Sequence, residues 1–479
     1  MNLVARVTAH ELRLLWRGRV AVVALLLVAV LSCVSAFTAW ERARAAQDTR
    51  ARLQSQVEKD FDAQPDRHPH RMVHYGHFVF RPLDALAAFD PGIDAFSGSV
   101  IYLEGHRQNS ANFADARQSS LLLRFGELTP AFVLQTLLPL LLVVLGAGIV
   151  ARDRDRGSLR LMLAQGAAPT PLLAGKTLAL LVAGMAATSP AVIALLLLAR
   201  DAAFLSWAMA FAGYGLYLLA WTLAVALVSA MASNSGGALR FLLGSWALLV
   251  VLLPRLAPEV AVWAAPAPAR FETEFAIQRE LRAIGDSHDE DDPYFAAFKH
   301  KTLRDHGVSR VEDLPVNYKG LLAVEGERMT SELFDRHADR LFDTYQKQTG
   351  VLDAFALISP LPAIRRLSMA AAQTDLPAHR RFVEQAERHR VEFVQRLNRL
   401  QAEAVTYADD TGRDDAERDK RTRIDTRHWQ EIPDFRFVPE PAMDTLRRAL
   451  PALAALASWA VGLLIALSLV WRRRAGVLR

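Results

Sequence analysis

Apolar residues in this chain fall into six long runs, separated by stretches whose hydrophobic positions are sparser and periodic. The runs cover 20–40, 129–150, 178–199, 203–231, 239–265 and 446–471. Each is close to the ~20 residues that carry an α-helix across a hydrocarbon core. A helix satisfies its own backbone polar groups there, so the runs are predicted to be membrane spans. Pro139 and Pro190 predict bends, and the pairs Gly146/Gly148 and Gly213/Gly215 predict close helix approach. Arg255 and Glu259 stand one turn apart at the outer, interfacial end of the fifth run, where they can pair. Residues 1–19 interleave Leu3, Val7, Leu12, Leu15 and Trp16 with Arg6, Arg13, Arg17 and Arg19, a pattern that predicts an interfacial helix.

The polar stretches have their own periodicity. In 266–443, Phe382, Ala386, His389, Phe393, Leu397 and Leu400 recur at steps of three and four, which predicts one buried stripe on a long helix. Met329, Leu333, Leu341 and Tyr345 predict a second stripe. Ser359-Pro360-Leu361-Pro362 interrupts the helical pattern. In 41–128, residues 42–61 read as helix, Pro69 and Gly76 as loop, and Asp90-Pro91-Gly92 as a turn. The segment 409–425, dense in both charges, reads as an exposed helix or hairpin tip. The fold class expected is mainly α: a six-span membrane domain with a large helical domain inserted between spans five and six.

Charge sets the orientation. Residues 1–19, 151–177 and 472–479 are rich in Arg and Lys, and such segments stay on the cytoplasmic side. That places both termini in the cytoplasm and 41–128 and 266–443 outside, as expected for a multi-pass protein of a bacterial inner membrane. A cleaved signal peptide is disfavoured because its apolar region is shorter than 20–40. The chain is 52% hydrophobic yet 22% charged, which suits apolar spans joined to a separate charged domain. The net charge of +5 sits largely at span ends and reads as topology, so no nucleic-acid partner is expected. Cys33, the only cysteine, excludes an intrachain disulfide and a cysteine metal site.

Candidate chemistry is thin. Gly175-Lys176-Thr177 ends like a phosphate-binding loop, but the position that needs glycine is Thr170, and Pro169 and Pro171 remove donors. Lys176 is expected to anchor a span end instead. His10-Glu11 begins like a zinc-protease helix, but the second histidine is replaced by Leu14. His68, His70, His74 and His77 lie close together, and histidine pairs can hold Zn or Cu. With loop signals around them and no acidic or thiol ligand beside them, no bound metal is expected. The acidic stretch 286–292 is expected to be solvated rather than cation-binding. No triad order and no dinucleotide loop is present. The chain is therefore not expected to be an enzyme or to carry a cofactor.

Several motifs resemble those of ABC-2-type transporter permeases. They are Arg154-Asp155-Arg156-Gly157-Ser158-Leu159 followed by Leu161-Met162-Leu163, then Pro169-x-Pro171 and Gly175-Lys176, with Trp246 and Pro254 in the fifth run. Leu86-x-x-Phe89-Asp90-x-Gly92-Ile93, Ser359-Pro360-Leu361-Pro362 and Phe382-x-x-x-Ala386-x-x-x-Arg390 resemble a branch with large extracytoplasmic insertions. The resemblance implies a permease subunit that pairs with a second permease subunit, identical or not. ATP hydrolysis would then reside in a separate ABC ATPase subunit, docked on 151–177 through Arg152, Arg154, Arg156, Gly157 and Leu161. The apolar spans fit an unknown lipid-like or hydrophobic substrate, moved outward, with membrane lipids around the spans. The competing expectation is a non-transporting scaffold that passes ATPase-driven motion to a periplasmic partner.

Overall fold

The computed structural model describes residues 2–112, 127–285, 292–412 and 416–478, and these are mainly helical with almost no sheet. Among the described residues six helices are long and apolar enough to cross a membrane: Arg19–Asp62, Pro130–Asp155, Pro169–Ile193, Phe204–Met231, Ser235–Ala264 and Ala442–Arg474. The outward faces of these helices carry exposed apolar side chains such as Leu26, Leu27, Phe241, Leu248 and Leu464. Side chains of that kind belong against lipid rather than water.

Helix α1 (Leu3–Arg17) starts where Asn2 Oδ1 accepts the Ala5 N–H at 2.9 Å. Gly18 breaks it, and α2 (Arg19–Asp62) then runs for 44 residues. At 1.5 Å per residue this is roughly twice a ~30 Å hydrocarbon core, so the first span and the predicted helix at 42–61 are one rod. Beyond the span, Gln47 and Gln54 on this rod accept the N–H groups of Leu83 and Phe80.

The fourth span is the centre of the bundle, packing on the second and sixth spans, while α2 lies along the third. A Cβ at Gly146 would overlap Leu180 and sit 2.6 Å from Val225, so this glycine sets the approach of spans two, three and four, as the sequence predicts. Gly213 plays the same part against Leu367, whereas Gly215 faces open space. Two spans contain wide π-helical turns, Val133–Leu137 in the second and Ala247–Leu252 in the fifth. They are joined by Trp246 Nε1 donating to the Thr136 carbonyl at 3.1 Å. Arg255 and Glu259 are both exposed on the helix Leu253–Ala264, and among the described residues no ion pair joins them.

In the inserted region the long helices Tyr318–Ala354 and Leu376–Ala404 pack together. Phe382, Ala386, Phe393 and Leu397 are buried, as their spacing predicts. The other seam differs: Leu333, Phe334 and Phe342 are buried, while Tyr345 is at the surface. That stripe advances only in multiples of four residues, and each such step overshoots a 3.6-residue turn by about 40°, so Tyr345 has left the packed face, whereas the mixed steps of three and four through Phe382 stay on it. Arg390, 1% exposed, bridges Glu327 at 2.5 Å and Glu387 at 2.7 Å and so ties the two helices by charge.

One local expectation is corrected and another is refined. The histidine stretch is ordered: α3 (Pro69–Val73) is capped by His68 Nδ1, and strand β1 (His77–Phe80) pairs antiparallel with β2 (Val100–Leu103). The described part of the charged segment 409–425 carries the short helices Tyr407–Thr411 and Ala416–Arg421 and is largely exposed, as expected, but within it Asp410 is buried and accepts from Asn317 and Gln401. Polar partners far along the chain make burial possible there, which a local charge count does not register. Residues 286–291 of the acidic stretch lie outside the described residues, and Asp292 caps the helix Pro293–Asp305.

Candidate functional site

One end of the bundle is a knot of short polar links between helix ends. The second span stops at the turn before Ala151–Asp155, where the N–H groups of Val150 and Ala151 both donate to Ser229 Oγ on the fourth span. Asp155 accepts the N–H of Ser235 at 3.0 Å, at the start of the fifth span. Lys176, at the start of the third span, is 2% exposed and bonds Glu11 of α1 and Asp153 Oδ2 at 2.6 Å. Arg152 reaches Glu11 Oε2 at 3.4 Å. Thr8 donates to the Gly175 carbonyl at 3.0 Å, and Trp471 of the sixth span donates to the Pro169 carbonyl at 2.8 Å. Every span except the first therefore meets at this knot, and α1 clamps it. Glu11, set aside in the sequence as a fragment of a zinc-protease motif, is its buried carboxylate. Lys176 is a span-end residue, as expected, but paired inside the protein.

The residues expected to contact a partner divide here into two groups. Arg152 and Arg154 point inward: Arg154 donates to the carbonyls of Ala230, at 2.7 Å, and Ala232. Those oxygens lie at the C-terminal end of the fourth span, where helical acceptors lack partners and the dipole is negative. Arg156, Gly157 and Leu161 point outward. Gly157 takes φ +72 and so turns the chain from one short helix into the next, Ser158–Ala164; a Cβ at this glycine would meet nothing within 4 Å. Leu161 stands 59% exposed on that helix, while Leu159 and Leu163 are buried beneath it. The result is a small knuckle, basic with one apolar tip, on a rigid base.

At the opposite end, a cavity of about 520 Å³ opens between the second span, the fifth span, the loop around Asp90 and the helix Pro360–Ala371. This helix belongs to the inserted region by sequence, yet Leu361, Ile364 and Leu367 are part of the bundle core. Ser359 Oγ donates to the Leu249 carbonyl of the fifth span, and Trp459 Nε1 of the sixth donates to the Ala356 carbonyl. A buried polar chain backs the cavity. Ser368 Oγ donates to Asp90 Oδ2 at 2.5 Å, Tyr214 OH lies 2.9 Å from Ser368, and Gln135 Nε2 donates to Tyr214 at 2.8 Å. Burial pushes the Asp90 carboxyl above the ordinary range, and the Ser368 and Gly92 hydrogen bonds offset part of this. The cavity pairs apolar walls from Phe96, Phe132 and Leu361 with charged groups of both signs, Arg365 and Arg366 beside Asp90, Glu127, Asp353 and Asp375, a combination that suits an amphipathic molecule.

The four predicted histidines separate. His68 bonds Asp410 at 3.1 Å. His77 is enclosed by Phe61, Phe393 and His389, and burial, then the His389 charge, lowers its pKa to about 4. His70 and His74 stay together and are joined by His106. His106 is far along the chain and carried no local signal.

A family model described as a domain of unknown function, DUF3526, matches residues 270–438. The match covers most of the region inserted between the fifth and sixth spans, including the helix Pro360–Ala371 and Arg390. No curated protein matches the chain.

Proposed function

We propose that the chain is the membrane-spanning permease subunit of an ABC-2-type ATP-binding-cassette transporter. A separate ABC ATPase hydrolyses ATP, and a second permease subunit, identical or not, completes the pathway. The observation that carries this reading is the knuckle at Arg156, Gly157 and Leu161, exposed on a base bonded to the ends of five spans and to α1. A push on such a knuckle reaches the spans without passing through a flexible linker. In this reading the end rich in basic residues faces the cytoplasm of a bacterial inner membrane, with both termini on that side. The cavity at the far end supports a lipid-like substrate, moved outward, its apolar part against spans two and five and its polar group among Arg365, Arg366 and the carboxylates that line the same space.

The test is purification of the full chain in mild detergent with identification of co-purifying proteins. A stoichiometric ABC ATPase, lost from the Arg156→Glu/Leu161→Asp variant, is expected. A folded chain that brings no ATPase would overturn the reading. A second reading, a scaffold that passes ATPase motion to a periplasmic partner, draws on α2, which runs unbroken from the loop end into the inserted domain. It predicts a reconstituted complex that hydrolyses ATP and moves no lipid.

A further inference from the structure

His70, His74 and His106 form a compact group on the face of the inserted domain that α3 and the β2 turn cover. One nitrogen from each ring lies within 4.8 Å of the others. The ring centroids are 4.7, 5.2 and 5.7 Å apart. His70 and His74 are four residues apart around α3, so both rings leave the same side, and their Nε2 atoms are 3.2 Å apart. Two nitrogens at about 2.0–2.1 Å from one tetrahedral zinc stand about 3.3 Å apart, so this pair already has the spacing of two ligands.

The third histidine is held in place by buried groups. His106 adopts φ 62, a left-handed conformation that costs a non-glycine residue and persists only when its surroundings fix it. Two bonds to one carboxylate fix it: the His106 N–H donates to Glu327 Oε2 at 3.0 Å, and Nδ1 lies 3.1 Å from the same oxygen. Glu327 is fully buried and clamped by Arg390. A ring whose Nδ1–H donates to a carboxylate carries its lone pair on Nε2 and is more basic there. This is the carboxylate–histidine arrangement that supports zinc ligands. The same left-handed residue also closes the tight turn in which Gly105 and His106 link the bridged residues Glu104 and Arg107.

We propose that His70, His74 and His106 bind a divalent zinc ion, with Glu327 as the positioning carboxylate behind His106. Three neutral imidazoles suit a borderline ion such as Zn²⁺ and do not suit Mg²⁺ or Ca²⁺, which take oxygen ligands. Three protein ligands leave a fourth position for water or for an exchanging group. Bound zinc joins α3 to the turn after β2, and through Glu327 and Arg390 to both long helices, so its uptake stiffens the inserted domain. The proposal is independent of the transporter reading.

The experiment uses the full chain, purified in detergent through a tag without histidine, stripped with chelator and titrated with ZnCl₂. Binding is followed by calorimetry, and retained metal by elemental analysis. One zinc per chain is expected, with a rise in thermal midpoint. His74→Asn keeps a residue suited to a helix end, and His106→Asn keeps one that tolerates positive φ, so both are expected to fold. Each should weaken binding by more than the ~10–100-fold that loss of an outer-shell partner costs. His300→Ala, at an exposed histidine outside the cluster, should leave binding unchanged. A wild-type chain that takes up no zinc at micromolar concentration overturns the site, and so does stoichiometric binding that survives both substitutions.

Discussion

Arg154 and Arg156 are two residues apart in the basic segment and face opposite ways, and that difference is measurable. Arg154→Ala removes a guanidinium that donates to the carbonyls of Ala230 and Ala232, at the end of the fourth span. A hydrogen bond involving a charged group contributes about 1.5–3 kcal/mol. The Arg154 side chain is only partly buried, so water replaces part of both bonds, and the expected loss is about 2 kcal/mol in total. Arg156 is exposed, and its replacement by alanine is expected to change stability by less than about 0.5 kcal/mol. In a chain of this size, ~2 kcal/mol moves an unfolding midpoint by roughly 2–4 °C. Tryptophan fluorescence during a thermal ramp in mild detergent, at one scan rate for all variants, resolves that shift. Arg154→Lys should recover only part of the loss, because an ammonium cannot span two carbonyls as a planar fork does. Equal midpoints for Arg154→Ala and Arg156→Ala, or a larger fall for Arg156→Ala, would refute the assignment of Arg154 as a structural tie.

Other outcomes follow from single contacts. A Cβ at Gly320 would sit 2.5 Å from the Ala402 Cα, backbone against backbone where the two long helices cross. Gly320→Ala is therefore expected to cost about 2–3 kcal/mol by overpacking, and a stabilised protein, the usual helix response, would show the crossing to be looser. Arg390→Met strands Glu327 and Glu387 without a counter-charge and should cost about 3–5 kcal/mol, read as protease sensitivity of the inserted domain. Burial lowers the pKa of His77 and of His379 to about 4, the latter with help from the Arg81 charge. The unfolded chain then binds the extra protons between pH 6.5 and 4, so stability is full above pH 6.5 and falls as pH drops to 4. Each group contributes about 2–3 kcal/mol after allowance for partial exposure, and acid unfolding that is unchanged in a His77→Phe/His379→Phe variant would contradict this.

The spans were legible because lipid imposes the same demand on every residue of a helix, and composition alone records it. The stripe through Phe382, Ala386 and Phe393 was legible for the same kind of reason, since one helix face meets one core. Pro360–Ala371 was not. Its alternation of Leu361, Ile364 and Leu367 with Arg365, Arg366 and Ser368 describes any amphipathic helix, and only the bare backbone at Gly213 decides that the apolar side enters the bundle. At the loop end, the excess of arginine marks one side of the membrane but not which guanidinium turns inward. Carbonyls of another span settle that for Arg154. His70 and His74 could be found by their spacing. His106 could not, because its position depends on a left-handed residue held by Glu327 from a helix much later in the chain.

The wide turns in the second and fifth spans behave like dislocations in a crystal. Each accommodates one surplus residue in an otherwise regular winding. If such a fault is annealed to ordinary α-geometry, everything beyond it rotates by about 100° and advances by about 1.5 Å. The two faults are latched to each other by the Trp246–Thr136 bond. A change of winding at either fault would therefore pull on the other, and it would be felt at the cavity, because Gln135 inside the first fault lines it.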